Sequence, residues 1–279
     1  MANCRTKGRH VLLAIDCGNT RTKWAVFNSA GEIQSQGACL NAELGTIDFS
    51  PSILCYERVV ISNVAGEQCA STLTKKFSPL PIDVYWIKST PQICNVINHY
   101  SNPETLGTDR WAALIAAWQI KQSPCVVVNA GTAVTIDALG AVNNQAEFIG
   151  GLILPGLNLM QQSLGCATAQ LPMPTLDKII QHQGKIIQHQ DIFAKNTTDA
   201  MIMGAIQAIT GAILLMANAL QIKYKQPPTI IISGGNAKQI KDNLLGSVTN
   251  QALIVDNLVL QGLYLIDNFM PKQIRRDEQ

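Results

Sequence analysis

Two segments of the chain share a pattern in which an apolar strand ends at a polar residue and a glycine turn. Aligning Gly18 with Gly131 places LAIDCGNTRT beside VVVNAGTAVT. In both segments the apolar run meets Asp or Asn, then a small residue, a glycine and a stretch that contains threonine. Two such segments within 279 residues predict an α/β chain of two domains that share a cleft. The Lys-Gln-Ser-Pro stretch at 121–124 predicts the boundary, which gives domains at 1–122 and 123–279.

The composition is that of a folded chain without a concentrated basic surface. Hydrophobic residues make up 47% and charged residues 14%, and the net charge is +2, so we expect a substantial core and no nucleic-acid partner. No two of the eight cysteines fall within four residues, which excludes a local Cys-x-x-Cys pair or zinc knuckle. His182 and His189 are interpreted as surface residues, with metal binding as the alternative. Reduced thiols and the lack of a signal-peptide pattern predict a cytoplasmic protein.

The segment 201–220 is apolar enough to imitate a membrane span. It carries Gln207, Thr210 and Asn218, which suit lipid poorly. We therefore expect a buried helix, in the core or in a subunit interface, and no membrane partner. Periodicity and turn residues predict further elements: helices at 108–120, 157–164 and 256–269, a strand at 229–235, and a glycine-rich loop at 150–156.

The first of the two turns, Asp16 to Lys23, contains the groups that a phosphate site needs. Gly18 lets backbone amides approach an anion, and Asn19 and Thr20 add hydrogen-bond donors. Lys23 brings positive charge, and Asp16 could hold a hydrated Mg²⁺ against the same phosphates. The turn matches neither a Walker loop nor a dinucleotide fingerprint. An Asx-turn hairpin without any ligand explains the same residues when the stretch is taken alone.

A second turn and a later glycine pair extend this pattern. NAGTAVT places Gly131 and Thr132 at the equivalent turn, and SGGNA at 233–237 follows a buried strand. Two phosphate turns followed by a Gly-Gly loop that could face adenosine resemble the actin, hexokinase and Hsp70 superfamily. The resemblance implies two ribonuclease-H-like domains with a nucleotide cleft between them.

Asp109 is the candidate acid–base residue. It lies in NPETLGTDRWAAL, at the start of a predicted helix and next to Arg110. One interpretation is a helix-start aspartate that the helix dipole favours. The other makes Asp109 the base that takes a proton from a substrate hydroxyl as it attacks the γ-phosphate. Arg110 would then bind an anionic substrate group or the transferring phosphoryl group. Periodicity leaves both interpretations open.

Six motifs, in order, are similar to those of the type III pantothenate kinases of bacterial coenzyme A synthesis. They are DCGNTRTKW, YSNPETLGTDRWAA, NAGTAVTID, GGLILPGLNLMQQSL, NTTDAMIMG and SGGNA, and they run through most of the chain. The resemblance implies phosphorylation of pantothenate by ATP with Mg²⁺. The product would be 4′-phosphopantothenate, in the first step of coenzyme A biosynthesis. The resemblance also implies a homodimer with active sites at the subunit interface.

The resemblance assigns site residues motif by motif, with Asp109 similar to the family's catalytic base. The implied ATP contacts are Asp16, Cys17, Gly18, Asn19, Thr20, Arg21, Thr22, Lys23 and Thr132. The implied pantothenate contacts are Tyr100, Gly107, Thr108, Asp109, Arg110 and, reaching across from the other subunit, Thr197. The implied metal position is Asp16, which would hold Mg²⁺ through water.

Asn129 departs from the family pattern. Most members carry Asp there, as the ligand of an activating monovalent cation. Asn129 keeps a carbonyl oxygen but loses the charge, so K⁺ or NH₄⁺ is expected to bind more weakly. The departure also favours an alternative function, a non-catalytic nucleotide- or pantothenate-binding accessory regulator of the same fold. A sugar or acetate kinase is a further alternative, because the fold does not specify the acceptor. The presence of both Asp16 and Asp109 favours the pantothenate kinase.

Overall fold

The chain folds as two compact units. The structure is a computed structural model that describes residues 11–49, 57–167, 193–244 and 251–270. One unit consists of residues 1–119 with 258–279, and the other of residues 120–257. The change of unit near residue 120 lies close to the boundary predicted from the proline. The C-terminal segment differs from the prediction, because it belongs to the first unit and not to the second.

The described part of each unit begins with three successive strands, which helices and further strands follow. The described strands are β1 (Leu12–Cys17), β2 (Arg21–Phe27), β3 (Ile33–Leu40), β4 (Arg58–Asn63), β5 (Asp83–Trp86), β6 (Gln92–Ile93), β7 (Val96–Asn98), β8 (Cys125–Ala130), β9 (Ala133–Val142), β10 (Gln145–Pro155), β11 (Thr229–Ser233) and β12 (Ala252–Ile254). The described helices are α1 (Glu67–Phe77), α2 (Thr108–Lys121), α3 (Leu157–Ala167), α4 (Thr197–Tyr224), α5 (Ala237–Asp242) and α6 (Leu258–Phe269). Short 3₁₀ helices lie at Asn41–Thr46 and Pro103–Thr105.

The first unit is built on a five-stranded sheet with the order β3-β2-β1-β4-β5. β1 to β3 are antiparallel neighbours, and β4 and β5 run parallel to β1. Leu13, Ala14 and Ile15 of the central strand are fully buried, as expected for a strand covered on both faces. This continuous apolar run leads directly to Asp16, which therefore lies at the end of a central strand.

The second unit repeats this strand order. Its strands follow β12-β11-β8-β9-β10, with β11 and β12 parallel to β8, and with β9 and β10 forming antiparallel pairs. β8 is the counterpart of β1, and β11 is the counterpart of β4. The pattern repeated in the sequence therefore marks the same position in both sheets, which is the carboxyl end of the central strand.

The C-terminal helix α6 packs on the sheet of the first unit, against β1, β2 and β4. Asp267 of this helix forms an ion pair with Arg58 of β4 at 3.1 Å, and both side chains are only 10% exposed. Gly262 lies against α2, where an added Cβ would overlap the carbonyl group of Ala112. Because its apolar face completes this core, the helix belongs with residues 1–119 although it follows the second unit in sequence.

The glycine-rich loop predicted at 150–156 was wrong. Strand β10 continues through Gly150 and Gly151 to Pro155, paired with β9. The register shifts between Phe148 and Gly150, and Gly150 has φ of +139°. A β-bulge at a glycine absorbs the irregularity, because glycine alone adopts this backbone conformation without strain, and the ladder then resumes.

Helix α4 is the long apolar helix expected from residue 197 onward. It packs on β8 and β9, and its Ile206, Ile209 and Ile213 are buried in the core of the second unit. By length and composition the helix could cross a membrane, but half of its most apolar stretch is buried inside the protein. This burial is typical of a core helix.

Candidate active site

The turn between β1 and β2 carries the predicted phosphate-binding residues. Antiparallel pairing places Asp16 opposite Lys23 and Cys17 opposite Thr22. The Gly18 amide donates to the Arg21 carbonyl at 3.1 Å and closes a hairpin whose tip is exposed. The turn is therefore a hairpin, as one interpretation of the sequence predicted. A hairpin can still present its tip to a phosphate, so the two interpretations describe one backbone.

Asn41, directly after β3, holds this turn from outside the hairpin. Its Nδ2 donates to the Gly18 carbonyl at 2.8 Å, and its Oδ1 accepts from the Thr22 hydroxyl at 2.9 Å. Its backbone amide donates to the Thr20 carbonyl at 3.1 Å. Thr22 is fully buried, which shields its hydrogen bond from competing water. A residue that directly follows a third strand thus sets the shape of the predicted phosphate turn.

Asp16 is held in an environment that disfavours its charge. Burial is the main cause that raises its pKa from 3.8 to about 7, the neighbouring Asp109 raises it further, and Lys23 lowers it. Asp16 Oδ1 is buried and has no hydrogen-bond partner within the described residues. An unpaired carboxylate oxygen of this kind fits a hydrated divalent cation, which prefers oxygen ligands and retains water.

No cluster of three or more His, Cys, Asp or Glu side chains that could hold a metal ion is found in the part of the chain that the structure describes. A divalent cation at Asp16 would therefore depend on phosphate oxygens and water for its other ligands, as is usual for Mg²⁺ at nucleotide sites. His182 and His189 lie outside the described residues.

Asp109 lies in the first turn of α2, close enough to Asp16 for its charge to raise the pKa of Asp16. Its Oδ1 accepts from the Arg110 backbone amide at 2.8 Å. Burial raises the pKa of Asp109 above 3.8, whereas its bond to the Arg110 amide and the Arg110 charge lower it. A Cβ added to Gly107 would lie 2.7 Å from Asp109 Oδ1. The structure therefore brings together two carboxylates that are far apart in sequence.

A serine–threonine hydrogen bond joins the end of β4 to the start of α2. Ser62 lies beside Asp16 in the parallel register of β1 and β4. Its hydroxyl is 2.8 Å from that of Thr108, and Ser62 is fully buried. Because Thr108 begins α2, this bond helps to place Asp109 at the end of the central strand.

Arg110 and Tyr100, two of the predicted pantothenate contacts, contact each other. Arg110 is 5% exposed, its Nη1 donates to the Tyr100 hydroxyl at 2.9 Å, and its guanidinium lies 5.6 Å from the centre of the Tyr100 ring. The Tyr100 amide donates to Asn98 Oδ1 at 3.1 Å. A guanidinium oriented in this way is suited to bidentate binding of a carboxylate or phosphoryl group.

In the second unit, three chain segments meet at the end of β8. The Gly156 amide donates to the Thr132 carbonyl at 2.8 Å, and the Asn236 amide donates to the Ala130 carbonyl at 3.2 Å. A Cβ on Gly156 or Gly234 would overlap the backbone of this turn, and Gly234 has φ of +102°. The predicted second phosphate turn and the Gly-Gly loop therefore pack closely, backbone against backbone.

Asn129 has hydroxyl-bearing residues on both sides. It is half-buried in β8, where it pairs in register with Thr135 of β9 and Ser233 of β11. Side chains at paired positions of neighbouring strands project from the same face of a sheet. An amide oxygen and two hydroxyls form a neutral oxygen set, which lacks the carboxylate charge that would attract a cation.

Thr197 is the exposed first residue of α4. The preceding Asn196 caps the helix, because its Oδ1 accepts from the Asp199 amide at 2.9 Å. Thr197 belongs to the second unit, whereas Asp109, Arg110 and Tyr100 belong to the first.

Sequence reasoning missed Asn41, Ser62 and Asn98. Each makes hydrogen bonds that position a predicted site residue, but each is also an ordinary residue for a turn or a strand end. The sequence signal is weak, because two of the three act on partners distant along the chain.

Solved structures share the architecture at low sequence identity. A protein from Campylobacter jejuni, provisionally described as a Baf family transcriptional activator, matches with a TM-score of 0.56 and 19% identity, covering 92% of this chain and 97% of the other. A provisionally assigned 2-dehydro-3-deoxygalactonokinase from Sinorhizobium meliloti matches with a TM-score of 0.53 and 11% identity, covering 93% and 98%. Similarity at this level shows the fold alone. It confirms the predicted α/β class of two ribonuclease-H-like domains.

Comparison with known sequences shows the family. A family model described as Type III pantothenate kinase matches residues 12–219. The type III pantothenate kinase of Nitrosospira multiformis is 40% identical over 261 residues, covering 92% of this chain and 90% of the relative. That of Methylobacillus flagellatus is 39% identical over 263 residues, covering 93% and 99%. The matched region contains the hairpin with Asp16, the start of α2 with Asp109 and Arg110, and the turn at Thr132, and the chain therefore belongs to the type III pantothenate kinase family.

Proposed function

We propose that the chain phosphorylates pantothenate with ATP to give 4′-phosphopantothenate, the first step of coenzyme A biosynthesis. Family membership supports the reaction. The observation that carries it is the close pair of half-buried carboxylates, Asp16 at the end of the central strand and Asp109 in the first turn of α2. In this proposal one carboxylate holds the metal of a nucleotide, and the other accepts a proton from the acceptor hydroxyl.

The first hairpin supplies the ATP contacts in this proposal. Its backbone amides and the side chains of Asn19, Thr20 and Lys23 donate to phosphate oxygens. Thr132 is the corresponding ATP contact in the second unit. Asp16 holds Mg²⁺ through water, and its unpaired Oδ1 supports this role. When bound, the ion neutralises charge on the phosphate oxygens.

Asp109 acts as the general base. Burial keeps its pKa above the usual value, which moves the carboxylate towards the pKa range in which general bases work well. Its Oδ1 is held by the Arg110 amide, so the carboxylate is oriented before substrate arrives. Arg110 and Tyr100, already hydrogen-bonded to each other, bind the pantothenate carboxylate, together with Gly107 and Thr108.

Pantothenate-dependent ADP release by the purified protein tests this function. Asp109→Asn should lower kcat by at least about 100-fold, since general-base catalysis contributes about 10²–10⁴-fold. Asp83→Asn is a matched control, because Asp83 is an exposed carboxylate in the same unit, and it should leave kcat unchanged. Full activity of Asp109→Asn would remove the proposed base. ATP binding without turnover of pantothenate or other hydroxy acids would instead favour the non-catalytic regulator.

We further propose a homodimer formed through helix α4. The helix carries exposed small and apolar residues at helical spacing, and Leu215 and Ile222 are each 70% exposed. Gly204 and Gly211 have open space where a Cβ would be, and together with Leu215 and Ile222 they form an exposed stripe on one face of α4. A second copy that packs on this face would bury the stripe, and Thr197 at the start of α4 would reach pantothenate bound to the other subunit.

Light scattering coupled to size-exclusion chromatography tests the dimer. Leu215→Glu should shift the mass towards one chain, because it places a charge on the apolar face. Gln221→Glu adds the same charge at an exposed residue beside the stripe and should leave the mass unchanged. A monomeric wild-type protein would refute the dimer without affecting the proposed chemistry.

The proposal includes weak dependence on a monovalent cation. Asn129 lacks the carboxylate that most family members carry, and its paired neighbours Thr135 and Ser233 bring no charge. K⁺ or NH₄⁺ should therefore raise the rate little, and Asn129→Asp should increase the response. A strong cation requirement in the wild-type protein would contradict this reasoning.

The proposal also places the enzyme in the cytoplasm and assigns it no nucleic-acid or membrane partner.

A further inference from the structure

We propose that Asn41 is a positioning residue for nucleotide binding, which orients the Gly18–Asn19 peptide so that its amide faces the phosphates. The inference rests on the proposed function, because it needs the hairpin to bind phosphate. Asn41 is not among the residues that the sequence motifs assign to the site. It acts from the end of β3, at a distance of 23 residues in sequence from Gly18.

The hydrogen-bonding groups determine which way the Asn41 amide points. The Gly18 carbonyl can only accept, so the atom of Asn41 that lies 2.8 Å away must be Nδ2. Oδ1 then faces the Thr22 hydroxyl at 2.9 Å, which makes Thr22 the donor. The Gly18 carbonyl therefore prevents the amide from flipping, because a flip would place Oδ1 against another acceptor, and Asn41 holds the turn in one orientation.

The orientation of the peptide follows from its planarity. In a trans peptide the carbonyl and the amide of one plane point in opposite directions. Because Asn41 Nδ2 holds the Gly18 carbonyl, the amide of Asn19 in the same plane points away from Asn41. Asn19 lies at the exposed tip of the hairpin, so this amide is available to an anion. The bond between the Asn41 amide and the Thr20 carbonyl anchors the other side of the tip.

The turn at the opposite end of β2 shows how a hairpin is stabilised without such a contact. There Asn28 acts on its own turn, because its Oδ1 accepts from the amides of Ala30 and Glu32, each at 2.9 Å. At the predicted phosphate turn the bond from the Gly18 amide to the Arg21 carbonyl already closes the hairpin. Asn41 adds control of a peptide that the hairpin's own hydrogen bonding leaves free to rotate.

The experiment compares Asn41→Ala with Asn28→Ala in the full-length protein. Both variants remove an asparagine that holds a turn of the same sheet, and Asn28 is remote from the site along β2. Asn41→Ala should raise KM for ATP, and Kd for MgADP measured by calorimetry, about tenfold, the order expected for two lost hydrogen bonds. The KM for pantothenate, and kcat at saturating substrates, should change less than about twofold. Asn28→Ala should change none of these constants.

Thr22→Val supplies a second variant, which keeps the shape of the side chain and removes the donor to Asn41. It should weaken MgADP binding in the same direction, and its effect should not add to that of Asn41→Ala. This variant decides the question if Asn41→Ala does not fold. An unchanged affinity for MgADP in both variants, or an equal loss in Asn28→Ala, would overturn the inference. A wild-type protein that binds MgADP but does not phosphorylate pantothenate would refute the proposed function alone.

Discussion

Replacing Asp16 by Asn should stabilise the first unit at neutral and alkaline pH while it weakens metal-dependent nucleotide binding. The pKa of Asp16 rises from 3.8 to about 7 in the folded chain, chiefly because the carboxyl is buried. Between these two values the folded state holds a proton that the unfolded state has lost, so stability falls as pH rises. The stability that the protonated Asp16 carboxyl contributes to the fold is fully present below about pH 4 and is lost once the pH passes about 7.

The size of the effect follows from the same rise in pKa. At 1.36 kcal/mol for each pKa unit, ionised Asp16 destabilises the fold by about 4 kcal/mol at pH 8 and by less than about 2 kcal/mol at pH 5. Asn cannot ionise, so the difference in free energy of unfolding between Asp16→Asn and wild type should widen by about 2–3 kcal/mol over this range. An amide group that the substitution leaves unpaired would change the free energy of unfolding by the same amount at every pH. Such a constant difference does not alter this widening.

Urea unfolding followed by tryptophan fluorescence is the appropriate assay. The tryptophans at 24, 86, 111 and 118 all belong to the first unit, so the signal reports the unit that contains Asp16. Asp109→Asn is the internal control. It removes a charge that raises the pKa of Asp16, and should reduce the widening. MgADP should stabilise wild type more than Asp16→Asn. Stability curves of wild type and Asp16→Asn that run parallel from pH 5 to 8 would refute the reasoning.

Other positions give independent predictions. Ser62→Ala removes the hydrogen bond between β4 and α2. It should lower kcat about 3- to 10-fold with little change in KM for ATP. An equal change in both constants would contradict a positioning role. Asp267→Asn breaks the buried ion pair with Arg58 and should lower the free energy of unfolding in urea by about 3–5 kcal/mol. Asp242→Asn breaks an exposed pair and should lower it by less than about 1 kcal/mol. Gly262→Ala forces α6 away from α2 and should cost about 1–3 kcal/mol, and an unchanged urea midpoint would show that the contact adapts.

Local pattern was sufficient for the elements that lie in one stretch of chain. The apolar run before Asp16, the cap and dipole signals around Thr108 and the long apolar helix from Thr197 are all found near the predicted positions. The prediction of a loop at 150–156 was wrong. It rested on two glycines in succession, which are usually a turn signal. Here the pairing of β10 with β9 accommodates them as a bulge.

The sequence by itself determined the family, the repeated strand–turn pattern and the identities of the predicted site residues, because these depend on residue types and on short spacings. The tertiary structure alone decided which distant groups meet. Asp109 raises the pKa of Asp16 only because the start of α2 packs beside the end of β1, and Asn41 reaches Gly18 only because β3 pairs with β2. Helix α6 joins the first unit for the same reason. Such contacts depend on packing and hydrogen bonding between segments far apart in the chain, which local periodicity does not encode.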